Sequence, residues 1–321
     1  MTGMGKPQNP EPRTQNAMSR VQHSVLGTRP FPEWEPSFQA ALERLSIAVR
    51  RPARGQHAGQ VRSRARGRAL EFADYRPYAP GDDPKLVDWR AYTRLGRLYL
   101  KQYDEERTRT ITLLVDTSAS LDWGDGDQHK GLYARRLAAA LAWIGLSHHE
   151  PVQIHLLRDG SFASMPSISA RAGAVTLFRR LGEMQEGGKT NLSSSIRSAL
   201  SGRAPGPVLL LTDLMDPNWS EALDILATTS EGAVVQLLAP SEWDPPLGEE
   251  VELEDAETGE LRATRLGPME IAAYRERLDA FLSRVRQQCH RLGLIHLALN
   301  TATPLPEAVL RQLTGARILT G

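Results

Sequence analysis

From Thr110 onward the chain alternates short apolar runs with longer stretches of helical period, and this alternation leaves few folds open. Thr110–Val115 and Val208–Thr212 are continuous apolar runs, as a strand covered on both faces requires. Val152–Leu157, Ala233–Leu238 and His296–Leu299 read as further strands. Between them, Gly131–His148, Ala174–Met184, Leu192–Leu200, Ser220–Ala227 and Pro268–Leu292 read as helices, with a last one over Glu307–Leu313. The longest has Pro268 in its first turn and Gly293 as its stop. Strand–helix alternation over this length predicts an α/β domain with a mainly parallel sheet and helices on both faces. Val251–Leu253 and Leu261–Thr264, flanking Glu257-Thr258-Gly259, predict a hairpin.

Upstream of that pattern the chain changes character. Residues 1–35 lack periodic apolar positions and read as a disordered tail. Residues 36–106 hold a first helix, a basic linker and a motif-rich stretch, and residues 107–321 form the α/β domain. Pro36 and Ser37 open the helix, with Phe38, Leu42, Leu45 and Val49 at helical spacing. Arg50–Arg68 carries seven arginines, three glycines, no acid and no aromatic residue. Nucleic-acid binding is one reading of such a run. Without an aromatic to stack on bases, a solvated charge run is the reading kept, and no nucleic-acid partner is expected.

The net charge of +1 hides an asymmetry, since residues 1–68 hold twelve Lys/Arg against four Asp/Glu. A basic arm on an acidic body can bind nucleic acid, a membrane face or an acidic protein, or fold back on the body itself. The single cysteine, Cys289, excludes an intramolecular disulfide framework and a multi-cysteine zinc site. Neither a signal sequence nor an apolar run of roughly 18 residues is present, so a cytoplasmic setting without a transmembrane segment is expected.

The chemistry concentrates at strand ends. Asp116, Ser118 and Ser120 follow the first buried strand at alternate positions, so one carboxylate and two hydroxyls can converge. Asp213 ends the strand Val208–Thr212, and the turn Gly187-Gly188-Lys189-Thr190-Asn191 puts Thr190 at a helix start. Oxygen donors without nitrogen or sulfur suit a hard cation: Mg²⁺, or Mn²⁺ or Ca²⁺. Taken alone, Asp116–Ser120 reads better as a capped strand-to-helix turn, and Thr190 and Asp213 at the same edge turn the reading to a metal site. Gly188-Lys189-Thr190 is no phosphate-binding loop, because the first glycine of that motif would fall at Glu183 inside a helix. A metal-dependent phosphohydrolase would use Asp116 as nucleophile, but the second acid such chemistry needs two residues on is Ser118. The histidines are scattered, with His148, His149 and His290 expected at helix ends.

The order Asp-x-Ser-x-Ser, Gly-Gly-x-Thr-Asn, Thr-Asp resembles the metal-ion-dependent adhesion site of von Willebrand factor A domains. Asp74-Tyr75-Arg76-Pro77-Tyr78, Pro80-Gly81-Asp82-Asp83, Val87-Asp88-Trp89-Arg90 and Gly96-Arg97-Leu98-Tyr99 resemble the DUF58 family over residues 55–321. The resemblance implies a Rossmann-like A-type fold and a metal held by Asp116, Ser118, Ser120, Thr190 and Asp213. It also implies non-enzymatic, metal-dependent protein binding in which a partner supplies an Asp or Glu, and a MoxR-type AAA+ ATPase as that partner. One departure is Leu214-Met215-Asp216, where many A domains have glycine after the third-loop aspartate. The stretch Asp74–Arg90 is expected to be a rigid polar cover anchored by Trp89, with a partner surface as the alternative. Glu242–Glu260, with nine acids and no Lys or Arg, is expected to be a solvated hairpin.

Overall fold

A computed structural model describes residues 34–49, 71–78, 87–104, 109–229, 231–245, 250–254, 261–265 and 267–321. The expected tail, the basic linker and the turn at Glu257-Thr258-Gly259 therefore lie outside the described residues, apart from Trp34 and Glu35. In chain order the elements before the main domain are α1 (Pro36–Leu42), β1 (Ser46–Ile47), β2 (Glu71–Pro77), α2 (Trp89–Leu95) and β3 (Tyr99–Asp104). The domain begins with β4 (Ile111–Asp116), α3 (Lys130–Ser147), β5 (Val152–Arg158), β6 (Ser161–Ser164), α4 (Ala174–Gly182) and α5 (Leu192–Leu200). Then come β7 (Val208–Thr212), α6 (Trp219–Leu226), β8 (Gly232–Leu238), α7 (Pro240–Trp243) and the hairpin β9 (Glu250–Glu254) and β10 (Leu261–Arg265). The chain closes with α8 (Pro268–Leu292), β11 (Ile295–Asn300), α9 (Leu305–Glu307), a π-helical turn over Ala308–Leu313, and β12 (Leu319–Thr320).

The main sheet has six strands in the order β11-β8-β7-β4-β5-β6. All neighbours are parallel except β6, which pairs antiparallel with β5 at the edge. This is the Rossmann-like architecture that the A-domain resemblance implied. Successive residues of a strand face opposite sides. Ile111, Leu113 and Val115 accordingly pack with α1, α3, α4 and the π-helical turn. Leu114 and Leu210 face the opposite layer, built by α5, α6 and α8. β6 was not foreseen, because Ser161-Phe162-Ala163-Ser164 has no apolar alternation and is largely exposed as an edge strand.

Three expectations are corrected. The first helix does not run to Val49: it ends at Leu42, and Ser46–Ile47 pairs antiparallel with Leu319–Thr320. Leu45 and Val49 are still buried, but Ile47 sits in a pair of short strands that a single helical period cannot describe. This segment belongs to the same core as α3, and Trp34 packs edge-on against Phe38, Trp143 and Phe178. Trp89 does not anchor a cover, being 60% exposed, while Val87, Asp88 and Ala91 around it are buried. Glu242 is not part of a solvated hairpin but stands on α7, which precedes β9 and β10 in the chain, and it is largely buried. Among the described residues no helix is long and apolar enough to cross a membrane.

Candidate metal centre

β4 and β7 are parallel neighbours, with Val115 opposite Leu211. The chain leaves β4 toward β5 on one side and β7 toward β8 on the other, so strand order reverses between them. Crevices at such reversals, beyond the carboxyl ends of strands, are where open α/β sheets bind ligands. Asp116 and Asp213 stand at this place.

Asp116 is buried and tightly bonded. Its Oδ1 accepts the Ser118 backbone N–H at 3.0 Å and the Ser118 hydroxyl at 2.7 Å, and its Oδ2 accepts the Thr212 hydroxyl at 2.7 Å. Thr212 Oγ1 in turn accepts the Leu214 N–H at 3.0 Å. That bond holds Leu214 at φ +59°, a left-handed conformation costly for a side chain bearing Cβ. Ser118 Oγ lies 3.1 Å from Ser120 Oγ. Since Ser118 gives its proton to Asp116, Ser120 is the donor in that pair. Acceptor capacity remains on Asp116 Oδ2, Ser118 and Ser120, all oxygen, which fits a hard cation.

The loop bearing Thr190 is fastened to this cluster through backbone bonds. Gly187 N–H donates to Thr117 O at 2.9 Å, and Ala119 N–H donates to Gly188 O at 3.1 Å. Lys189 N–H donates to Asp159 at 2.6 Å. Gly188 must be glycine, with φ +77° and a Cβ that would sit 2.6 Å from Asp159 Oδ2. Thr190 is half-buried in this turn, just before Asn191 caps α5 by accepting Ser194 N–H at 3.2 Å. Asp216 is a structural anchor: it accepts Leu192 N–H at 2.6 Å and Asn218 N–H at 2.7 Å, tying α5 to the loop after β7.

Asp213 departs from the simple ligand picture. It is fully buried, and its Oδ2 accepts the Lys130 ammonium at 2.9 Å while Oδ1 accepts Met215 N–H at 3.0 Å. The same ammonium reaches Glu242 Oε1 at 2.8 Å, and Glu242 Oε2 accepts Ala239 N–H at 2.6 Å. Burial pushes the Lys130 pKa down, but Asp213 and Glu242 together raise it above its ordinary value, so the group stays charged. Lys130 and Glu242 went unread in the sequence. The signal for Lys130 is a cation at the first position of an apolar helix, where the dipole disfavours it and only a buried acid explains it.

Burial first, then the charge on Asp213, pushes the Asp116 carboxyl up from 3.8 to about 6, against the pull of the Ser118 and Thr212 hydrogen bonds. A carboxyl raised by folding holds its proton more tightly in the folded chain. The stability this adds is complete below pH ~4 and is lost as pH rises through about 6. His296 acts in the opposite sense, because burial and then Arg286 depress it to about 4. The difference between wild type and Asp116→Asn isolates the aspartate. In EDTA that difference should shift against the wild type by about 2 kcal/mol between pH 4 and pH 7 in denaturant unfolding. Parallel profiles would contradict the assignment.

A second cluster, Asp122, His129 and Glu186, lies close by. His129 Nδ1 accepts Leu132 N–H at 3.2 Å, so in the neutral ring Nε2 carries the proton and donates to Asp122 at 3.0 Å. Glu186 pairs with Arg135 at 3.2 Å. These contacts make the cluster a hydrogen-bonded frame for the start of α3.

The family model described as "Protein of unknown function DUF58" matches residues 74–288. The uncharacterized proteins Rv1480 of Mycobacterium tuberculosis and Mb1516 of Mycobacterium bovis are each 26% identical over 239 residues, covering 73% of this chain and 75% of theirs. Among solved structures, the conserved hypothetical protein BatB from Bacteroides thetaiotaomicron aligns with TM-score 0.42 at 15% identity, covering 65% of this chain and 98% of its own. The SpRpn10 VWA domain aligns with TM-score 0.34 at 11% identity, covering 64% of this chain and 94% of its own.

Proposed function

The chain belongs to the DUF58 family, and from that premise and the crevice between β4 and β7 we propose a non-enzymatic, metal-dependent protein-interaction module. The observation that carries the reading is the oxygen cluster of Asp116, Ser118 and Ser120 at the reversal of strand order. Mg²⁺, or Mn²⁺ or Ca²⁺, would be held there by Asp116, Ser118 and Ser120, with Thr190 and Asp213 reaching it directly or through water. Few charged ligands make for weak binding and leave a position for an incoming carboxylate, which a partner's Asp or Glu supplies. Phosphohydrolase chemistry is disfavoured because Ser118, bonded to Asp116, stands where the second acid is needed.

A cavity of about 320 Å³ adjoins the donors, lined by Ser120, Trp123, Lys130, Met215, Glu242 and Tyr274. Trp123, three residues beyond Ser120, is 48% exposed, and Met215, two beyond Asp213, is 40% exposed. The Trp123 indole N–H donates to Ser241 Oγ at 3.0 Å, which fixes the ring at the rim. Large apolar side chains held beside a polar centre are typical interface anchors. The partner segment therefore carries an apolar residue next to its acid. The family resemblance makes a MoxR-type AAA+ ATPase the partner to test. Trp123→Ala should weaken its binding roughly 30-fold, the scale of an anchor worth ~2 kcal/mol, while Mn²⁺ affinity stays at the wild-type value. Unchanged partner affinity would remove the cavity from the interface.

A further inference from the structure

Three carboxylates and one ammonium meet at this end of the sheet: Asp116, Asp213, Glu242 and Lys130. Ionised together, they leave two negative charges, which is the charge of one divalent cation. Lys130 is almost fully buried, and its ammonium bridges the loop after β7 and helix α7 from the first turn of α3. An ammonium held at that point, against the helix dipole, answers the acids rather than the helix.

We infer that Lys130 is the resident counterion of Asp213: it satisfies this aspartate in the metal-free protein and competes with the divalent ion for it. The inference rests on the ion site proposed above. Two consequences follow from the geometry. The fold does not depend on metal, because Asp213 is not left as a lone buried charge. Ion affinity is held low, because a cation entering beside Asp213 meets a positive charge 2.9 Å from its carboxylate. The occupant of Asp213 is then set by whichever cation wins, and a partner carboxylate on the ion shifts the balance toward the metal.

The test compares wild type, Lys130→Met and Lys130→Met/Asp213→Asn, using Mn²⁺ titration and thermal unfolding in Mn²⁺ and in EDTA. Methionine keeps an apolar stem as long as that of lysine up to Cε and removes the ammonium with its hydrogen bonds to Asp213 and Glu242. Lys130→Met should bind Mn²⁺ at least about tenfold more tightly than wild type. In EDTA its melting temperature should fall by about 10 °C, since buried Asp213 and the largely buried Glu242 both lose their partner. Saturating Mn²⁺ should recover part of that loss, and so should adding Asp213→Asn without metal, the remainder being the lost pair with Glu242. Should Lys130→Met not fold in EDTA, purification in Mn²⁺ and the double variant keep the comparison open. Wild-type Mn²⁺ binding that Lys130→Met leaves unchanged or weakens would overturn the inference while sparing the ion site. A melting-temperature loss that Asp213→Asn does not reduce at all would overturn it as well, showing that the charge of Lys130 does not answer Asp213. Absence of Mn²⁺ binding in both wild type and Lys130→Met would end the ion-site reading and the competition with it.

Discussion

Asp116→Ala is expected to abolish Mg²⁺ and Mn²⁺ binding, with affinity falling by two orders of magnitude or more. The carboxylate is the donor around which the others are arranged: Ser118 is bonded to it twice, Ser120 through Ser118, and Thr212 from the neighbouring strand. Alanine removes both the charge and the hydrogen bonds that orient the hydroxyls. A divalent cation that dehydrates reluctantly has little reason to stay on two unoriented serines. Calorimetry in chelator-treated buffer reads the effect directly. A variant that binds as wild type does would show that the ion, if any, sits elsewhere.

The second large effect concerns stability. Leu42→Ala should cost about 2–5 kcal/mol, the range for truncating a fully buried leucine. Leu42 closes α1, and with Phe38, Leu45, Ile47 and Val49 it completes the layer that covers α3. β1 also pairs with β12, so the segment ties the start of the described chain to its end. Equilibrium unfolding in denaturant measures the loss. A cost below about 1 kcal/mol would mean that this segment lies on the domain without supporting it.

The sheet was legible because its strands carry an unusually plain signal. Ile111–Asp116 and Val208–Thr212 are buried at every position, which a polar-faced strand could not be. α5, β7 and α8 have the bounds read from the sequence, since Asn191, Thr212 and Gly293 mark them with a cap, a strand end and a left-handed stop. What escaped was what depends on neighbours distant in sequence. β6 exists because β5 offers it an edge, and β1 because β12 does. Trp89, placed as an anchor on hydrophobicity alone, is exposed, because burial is decided by what faces a residue and not by its type.

The same division runs through the site. Asp116, Ser118 and Ser120 could be grouped from their alternate spacing, since three residues of one extended segment must point one way. The closeness of Asp213 to Asp116 follows from parallel pairing of β4 with β7, and its charge is felt in the Asp116 carboxyl. The pairing of Lys130 with Asp213 and Glu242 was invisible because no spacing joins residues on different strand connections. Glu242 was further hidden by its acidic neighbours, which made it look like part of a solvated run.

The central claim, an ion that bridges this chain to a carboxylate of its partner, is tested most directly by one affinity measurement. Purified chain is titrated with a MoxR-type AAA+ ATPase from the same organism, in Mg²⁺ and in EDTA, with Thr190→Ala alongside. The ion-bridged account predicts affinity at least about tenfold weaker in EDTA, and weaker in Thr190→Ala with the melting temperature nearly unchanged, because a half-buried hydroxyl adds little to stability. Equal affinity in both buffers, with Thr190→Ala binding as wild type does, would contradict it even if the ion itself binds at Asp116.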